Sequence, residues 1–266
     1  MLRSLSPARR RLVLVTGAVV VVLVAGLLVR VVTNRGDKVD AAPQGDAGPV
    51  LLVPGYGGST TALSKLAGVL RGKGRDATVV SLPGGGTGDL KAQAKVLGTA
   101  VTRARSRTGA RSVDLIGYSA GGVVARLWVR DGGASQVRRV VTLGSPQHGT
   151  DLASLAGSAL PDACPTACQQ LATDSDLLRT LNAGDETPAG PVFVSIWSSV
   201  DQIVEPPDSA KLAGATNIVI QDVCAGSQVA HGQLPTDPVV TAMVVAELGT
   251  GAVRSFAASD CASLSS

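Results

Sequence analysis

Aromatic side chains are almost missing from this sequence, which holds two Phe, two Tyr and two Trp among 266 residues. So few rings leave no basic, aromatic-interleaved face on which bases could stack, and no nucleic-acid partner is expected. Histidine is as scarce, with His148 and His231 alone. No further Cys or His lies near enough in sequence to the Cys164/Cys168 pair to complete a zinc ligand set, so no metal is expected. No G-x-x-x-x-G-K-S/T segment occurs, which excludes a P-loop phosphate cradle. Internal repeats are lacking too. An excess of charge is missing from most of the chain: residues 1–40 hold seven Lys/Arg against Asp37 and Asp40, and the remainder holds 17 Lys/Arg against 18 Asp/Glu. The overall +4 is therefore a property of the N-terminus, and the rest is close to neutral.

What the sequence does have begins with residues 12–29, an uncharged run of 18 residues behind Arg9, Arg10 and Arg11. That length reaches the lower limit for spanning a bilayer and exceeds the usual apolar core of a signal peptide. The basic cluster predicts a cytoplasmic segment at 1–11, with everything after residue 29 exported. Two readings stay open: an uncleaved membrane anchor, or an export signal cleaved after Ala41 or Ala42. The Arg-Arg pair also permits twin-arginine export. Residues 30–48, polar and rich in Gly and Asp, read as a linker. Residues 49–266 read as one catalytic domain. All four cysteines, Cys164, Cys168, Cys224 and Cys261, fall in the exported part, where disulfides persist. The i, i+4 spacing of Cys164 and Cys168 suits a bridge. That leaves Cys224 with Cys261, a closure worth about 4 kcal/mol in the chain-entropy model.

Short aliphatic runs at 50–53, 77–81, 113–116, 137–143, 192–197 and 217–221 predict strands. They lack polar alternation, as strands buried on both faces do. Helical spacing at 61–71, 89–107, 121–130 and 238–248 fills most intervals and follows the last strand. Strands and helices in alternation predict an α/β domain with a parallel sheet. Residues 150–190 break the rhythm with short helical stretches and no strand. They read as a small helical cap insertion over a pocket, or as a surface embellishment.

Gly117-Tyr118-Ser119-Ala120-Gly121 sits between a predicted strand and a predicted helix, the context of a nucleophile elbow. Ser119 is the candidate nucleophile, and its base must be one of the two histidines. His231 follows the last strand, at the sheet edge where Ser119 must also lie. His148, at the entry to the cap, reads as a structural or pocket-lining residue. Asp201, just past a strand end, is the candidate third member, giving the order Ser119, Asp201, His231. Asp222, Asp208 and Glu205 compete with it. Oxyanion donors are expected from the N–H of Ala120 and, in the Gly-rich loop after the first strand, the N–H of Tyr56.

Five segments together carry a family resemblance: Leu-Val-Pro-Gly-Tyr-Gly-Gly, Gly-Tyr-Ser-Ala-Gly-Gly, Thr-Leu-Gly-Ser-Pro-Gln-His-Gly-Thr, Ser-Ile-Trp-Ser-Ser-Val-Asp-Gln-Ile-Val and His-Gly-Gln-Leu-Pro. Over residues 49–248 the chain resembles the compact secreted bacterial lipases of the α/β-hydrolase superfamily, the group called lipase class 2, with actinobacterial members closest. The resemblance implies an α/β-hydrolase fold with a compact six-stranded parallel sheet flanked by helices. It implies nucleophile Ser119, acid Asp201, base His231 and oxyanion donors Tyr56 and Ala120. It implies hydrolysis of acyl esters, as a lipase or carboxylesterase, through an acyl-enzyme and without a cofactor. Where the family usually opens the oxyanion loop with His-Gly, this chain has Pro54-Gly55. An acyltransferase with the same triad and a non-catalytic binding domain are the alternatives. The expected partners are an acyl ester or lipid, and the membrane through the N-terminal segment; the protein is expected to act as a monomer outside the cytoplasm.

Overall fold

The computed structural model describes residues 40–265 together with Thr16 and Val20. The segments expected at 1–11, at 12–29 apart from those two residues, and at 30–39 lie outside the described residues. Among the described residues no helix is long and apolar enough to cross a membrane.

Six aliphatic segments form one parallel sheet: β1 Val50–Val53, β2 Ala77–Val79, β3 Val113–Tyr118, β4 Val137–Leu143, β5 Val192–Trp197 and β6 Thr216–Val219. Their order across the sheet is β2-β1-β3-β4-β5-β6. Leu52 of β1 stands beside Ile116 of β3, Ile116 beside Val141 of β4, and Val141 beside Val194 of β5. After β1 the chain winds outward to β2 and then returns across β1 to β3. That reversal opens a crevice at the carboxyl ends of β1 and β3, where open α/β sheets bind ligands.

Helices cover both faces. They are α1 Thr61–Gly72, α2 Leu90–Thr108, α3 Ala120–Trp128, α4 Asp151–Ala159, α5 Thr166–Gln170, α6 Asp176–Asn182, α7 Ile220–Val223, α8 Pro238–Glu247 and α9 Cys261–Leu264. Their ends follow local chemistry. Asp89 accepts the Ala92 N–H at the start of α2, and Asp237 accepts the Val240 N–H ahead of Pro238 in α8. One core layer joins Leu63, Leu66 and Leu70 of α1, and Val240, Met243 and Val244 of α8, to the inward side chains of β1, β3, β4 and β5. Burying each such side chain contributes roughly 1.5–3 kcal/mol.

β2 stops at Val79 and β6 at Val219, two residues short of the runs expected at 77–81 and 217–221. In β6 the cause is the Gln221 side chain, which donates to Ser198 Oγ and the Ser227 carbonyl and accepts the Ser199 N–H. These bonds replace ladder pairing and turn the chain into α7. The 150–190 stretch folds as α4, α5 and α6, with no strand.

The amino edge of the sheet is built from charge. Arg138 on β4 lies fully buried and grips Asp114 of β3 with two bonds, at 2.9 and 2.6 Å. It also donates to the carbonyls of Gln44, Leu248 and Gly249. Arg75 adds a bond to Asp114 and one each to the Gly48 and Leu248 carbonyls. Arg139 donates to the carbonyls of Glu247 and Gly251. Burial, reinforced by Arg138, holds the Arg139 guanidinium below its ordinary range. Disulfides join Cys164 to Cys168 and Cys224 to Cys261, the latter tying the C-terminal tail to the end of α7.

Candidate active site

The turn from β3 into α3 carries Ser119 with φ 53° and ψ −129°, and Ser119 is the one non-glycine residue with positive φ among the described residues. Such a conformation costs of order 1–3 kcal/mol and persists only where its surroundings enforce it. The enforcement is visible. A Cβ on Gly117 would stand 2.4 Å from the Gly122 Cα, and one on Gly121 would stand 2.2 Å from the Val53 carbonyl oxygen. The glycines thus let α3 close tightly on β1 and β3, and the Ser119 N–H donates to Leu143 of β4 at 2.9 Å.

His231 Nε2 lies 3.0 Å from Ser119 Oγ, and His231 Nδ1 lies 2.6 Å from Asp201 Oδ2. With the proton on Nδ1, the imidazole donates to Asp201 and accepts from Ser119. The second oxygen of Asp201 accepts the N–H groups of Ile203 and Val204, which fixes the carboxylate in the loop after β5. His231 and Asp201 are both buried, so their pairing is shielded from water. The three side chains form one hydrogen-bonded line, an arrangement able to take a proton from a serine hydroxyl onto an imidazole oriented by a carboxylate.

The remaining candidates lie elsewhere. His148 Nε2 meets Glu186 Oε1 at 2.8 Å and its Nδ1 meets the Ser209 carbonyl at 3.2 Å. Burial would raise Glu186, but the bonds from His148 and the Ala213 N–H outweigh it and hold the carboxyl below its ordinary value. Asp222 and Asp208 are exposed, while Glu205 accepts the Asp151 N–H on its backbone carbonyl. Ala120 is the first residue of α3, and Gly55 beside Tyr56 packs against Ser119. Among the described residues no group of three or more His, Cys, Asp or Glu is placed to hold a metal ion.

Three residues of the site escape a reading of the sequence. Tyr118 donates its hydroxyl to the His231 carbonyl at 3.2 Å and lays its ring 5.2 Å from the imidazole. Burial, aided by nearby Asp201, pushes the Tyr118 hydroxyl up to about 12, so it stays a neutral donor. The signal was available: Tyr118 is an aromatic inside the elbow motif of a chain that has few. Gly144, at φ 51°, leaves the space where a Cβ would come 3.1 Å from Asp201 Oδ2 and 3.3 Å from His231 Nδ1. Arg126 of α3 reaches Gln147, Asn182 and the Glu186 carbonyl, and so fastens the 150–190 stretch to α3. Burial pulls its guanidinium down to about 10.

Ser119 opens onto a cavity of about 250 Å³. Leu152, Ala153 and Ala156 of α4 supply one wall, Ile203 and Val204 another, and Tyr56 stands at its margin. Leu152, Tyr56 and Ile203 are exposed, as are Leu155 and Leu160 on and just beyond the same helix. The opening is therefore rimmed by apolar side chains.

Comparison with known proteins fits this geometry. No curated protein matches the sequence. Among solved structures, lipase B of Aspergillus fumigatus is similar at 23% identity and a TM-score of 0.67, over 76% of this chain and 52% of that one. The chain therefore spans about half the length of the Aspergillus protein. A mature lipase of Bacillus licheniformis is similar at 22% identity and a TM-score of 0.54, over 69% of this chain and 87% of its own. A Listeria innocua protein follows at 17% identity and 0.52, over 74% and 91%. At these identities the likeness speaks to the fold, which is that of the α/β-hydrolases. Residues 95–243, more than half of the sequence and including the elbow, Asp201 and His231, match the family described as Lipase (class 2), and the chain belongs to that family.

Proposed function

We propose that the protein is a serine carboxylic ester hydrolase, a lipase or carboxylesterase, acting through Ser119, His231 and Asp201. The observation that carries this reading is the line from Ser119 Oγ through His231 to Asp201, with contacts of 3.0 and 2.6 Å. Ser119 Oγ attacks the acyl carbonyl as its proton passes to His231 Nε2. Asp201 stabilises the imidazolium that forms. The oxyanion of the tetrahedral intermediate lies against the N–H groups of Ala120 and Tyr56. On collapse the alcohol leaves with the proton from His231 Nε2, and the acyl group stays on Ser119. Water, deprotonated by the same nitrogen, then releases the acid.

The apolar cavity and its exposed leucine rim suit a hydrophobic acyl ester. Paired cysteines and the uncharged run at 12–29 support a protein held outside the cytoplasm by its N-terminal segment, with residues 49–266 as the catalytic domain. A fluorophosphonate probe tests the chemistry: it is expected to label the wild type at Ser119 and to leave Ser119→Ala unlabelled. Labelling that persists in the variant overturns the assignment. Product analysis with an acceptor alcohol present separates hydrolysis from acyl transfer. Fractionation of the full-length protein checks location, with an intact N-terminus expected in the membrane pellet. Free enzyme beginning near Ala41 or Ala42 would instead make the segment an export signal.

A further inference from the structure

The walls of the cavity differ in how they are held. α5 is fastened to the body: Ala167 N–H donates to the Thr87 carbonyl at 3.0 Å, and the Gln170 amide bridges the Leu90 N–H and Asp89 Oδ2 at 2.8 and 2.6 Å. The first turn of α4 is fastened as well. Thr150 N–H donates to the Leu171 carbonyl and Asp151 N–H to Glu205, while Thr150 Oγ1 donates to Ile203. The other end of α4 reaches outward, with Leu155 and Leu160 exposed, and runs into Ala163 and Cys164. That end is joined to fixed α5 by the Cys164–Cys168 disulfide and by the bond from the Gln169 side chain to the Cys164 carbonyl at 2.9 Å. The bridge also supports α4 from beneath. Cys164 is buried, and a Cβ on Gly157 of α4 would rest 3.8 Å from its Sγ.

Ala163 and Cys168, on either side of this short loop, both line the cavity together with Ala153 and Ala156. Its volume of about 250 Å³ falls below the roughly 300–1,000 Å³ of ordinary ligand pockets. We propose that the Cys164–Cys168 disulfide sets acyl-chain selectivity, holding α4 and Ala163 in place so that the cavity admits short acyl chains and resists long ones. The inference rests on the ester-hydrolase reading and names its substrate class. Thr173 donates its N–H to Ser154 and so holds α4 as far as its middle. Beyond Ser154, without the bridge, the tie across the loop is the Gln169 bond to the Cys164 carbonyl, and that end of the wall gives way to a longer chain.

The test measures kcat/KM for p-nitrophenyl acetate, butyrate, octanoate and palmitate with the full-length chain. The wild type is expected to favour acetate and butyrate. Cys164→Ala is expected to raise the octanoate-to-butyrate ratio about tenfold, the low end of what one methylene is worth in a hydrophobic pocket. Ala163→Leu, at an exposed position that folding tolerates, is expected to lower the same ratio by filling the cavity. The paired variant Cys224→Ala/Cys261→Ala, which removes the other bridge, is expected to leave the ratio where it was. A ratio unmoved in Cys164→Ala, or moved as far by losing Cys224–Cys261, overturns the proposal. Should Cys164→Ala not fold, Ala163→Leu decides: a selective fall for octanoate supports the proposal and an unchanged profile refutes it. If the wild type cleaves none of the esters and fluorophosphonate leaves Ser119 unlabelled, the hydrolase reading itself has failed and takes this proposal with it.

Discussion

The two edges of the sheet use buried charge in opposite ways. At the carboxyl edge Asp201 has one imidazole partner and two N–H groups, and the line it begins ends at Ser119 in an open cavity. At the amino edge Asp114 is gripped by Arg138 and Arg75, and the remaining guanidinium donors go to carbonyls at 44, 48, 247, 248, 249 and 251. One edge ends its polar line at a hydroxyl that opens onto a cavity. The other satisfies its donors and closes. Buried ion pairs are weak evidence of stability, yet breaking one by removing a partner is strongly destabilising. The amino edge should therefore govern folding and the carboxyl edge rate.

The comparison breaks most visibly if that division fails. Ser119→Ala should lower kcat/KM by about 10⁶, the scale seen when a member of a cooperating triad is lost. Its melting temperature should stay close to that of the wild type, since Ala keeps the Cβ and with it the strain at φ 53°. Asp201→Asn keeps the oxygen that accepts Ile203 and Val204 but no longer fixes the imidazole tautomer, and its kcat should fall by about 10⁴. In the same assay His231→Ala should be nearly inactive and His148→Ala mostly active; the reverse result would exchange the two histidines. Arg138→Met should behave in the opposite sense. Denaturant titration should show a loss of about 3–5 kcal/mol, while activity well below the transition is kept. A stable Arg138→Met variant with lost activity would show that the edges are not independent.

Glu247 sharpens the contrast at the small end. It is fully buried, its Oε2 has no hydrogen-bond partner among the described residues, and burial raises its carboxyl above the ordinary 4.5. A folded value above the unfolded one means that ionisation opposes folding. The penalty grows as pH climbs from the unfolded value through the folded one, and it is complete above both. Glu247→Gln should therefore raise Tm by about 2 °C near pH 8. The gain should fade toward about pH 4, where wild type binds the proton in either state. A uniform gain at every pH would mean that packing rather than charge is responsible.

Sheet and elbow were legible because they depend on short-range pattern. Unalternating runs such as Val50–Val53 become strands buried on both faces, and glycines around Ser119 mark a turn that needs close approach. Two histidines in the chain narrowed the search for a base before any geometry was known. The amino edge was not legible. Val-Arg-Arg-Val at the start of β4 looks like a strand leaving solvent, yet Arg138 and Arg139 are 0% and 1% exposed. Their carbonyl partners lie about a hundred residues away in either direction, and the neutralising Asp114 stands 24 residues before Arg138, so no local window contains them. The end of β6 departs from pattern for a related reason: Gln221 has a strand-compatible neighbourhood, but its amide serves Ser198, Ser199 and Ser227. Long-range polar partners, more than apolar packing, are what pattern cannot supply.

The Cys224–Cys261 bridge has a consequence of a kinetic kind. The residues between Gly249 and Asp260 run mostly exposed between two fixings, the arginine-bound carbonyls and the disulfide. If either fixing opens, the other keeps the strap close to its seat, at an effective concentration in the millimolar range for a short flexible connection. A protease that cuts this exposed segment would not release the tail, which stays covalently attached through Cys261. A nicked molecule should thus run at full mass on a non-reducing gel and split only when thiol is added.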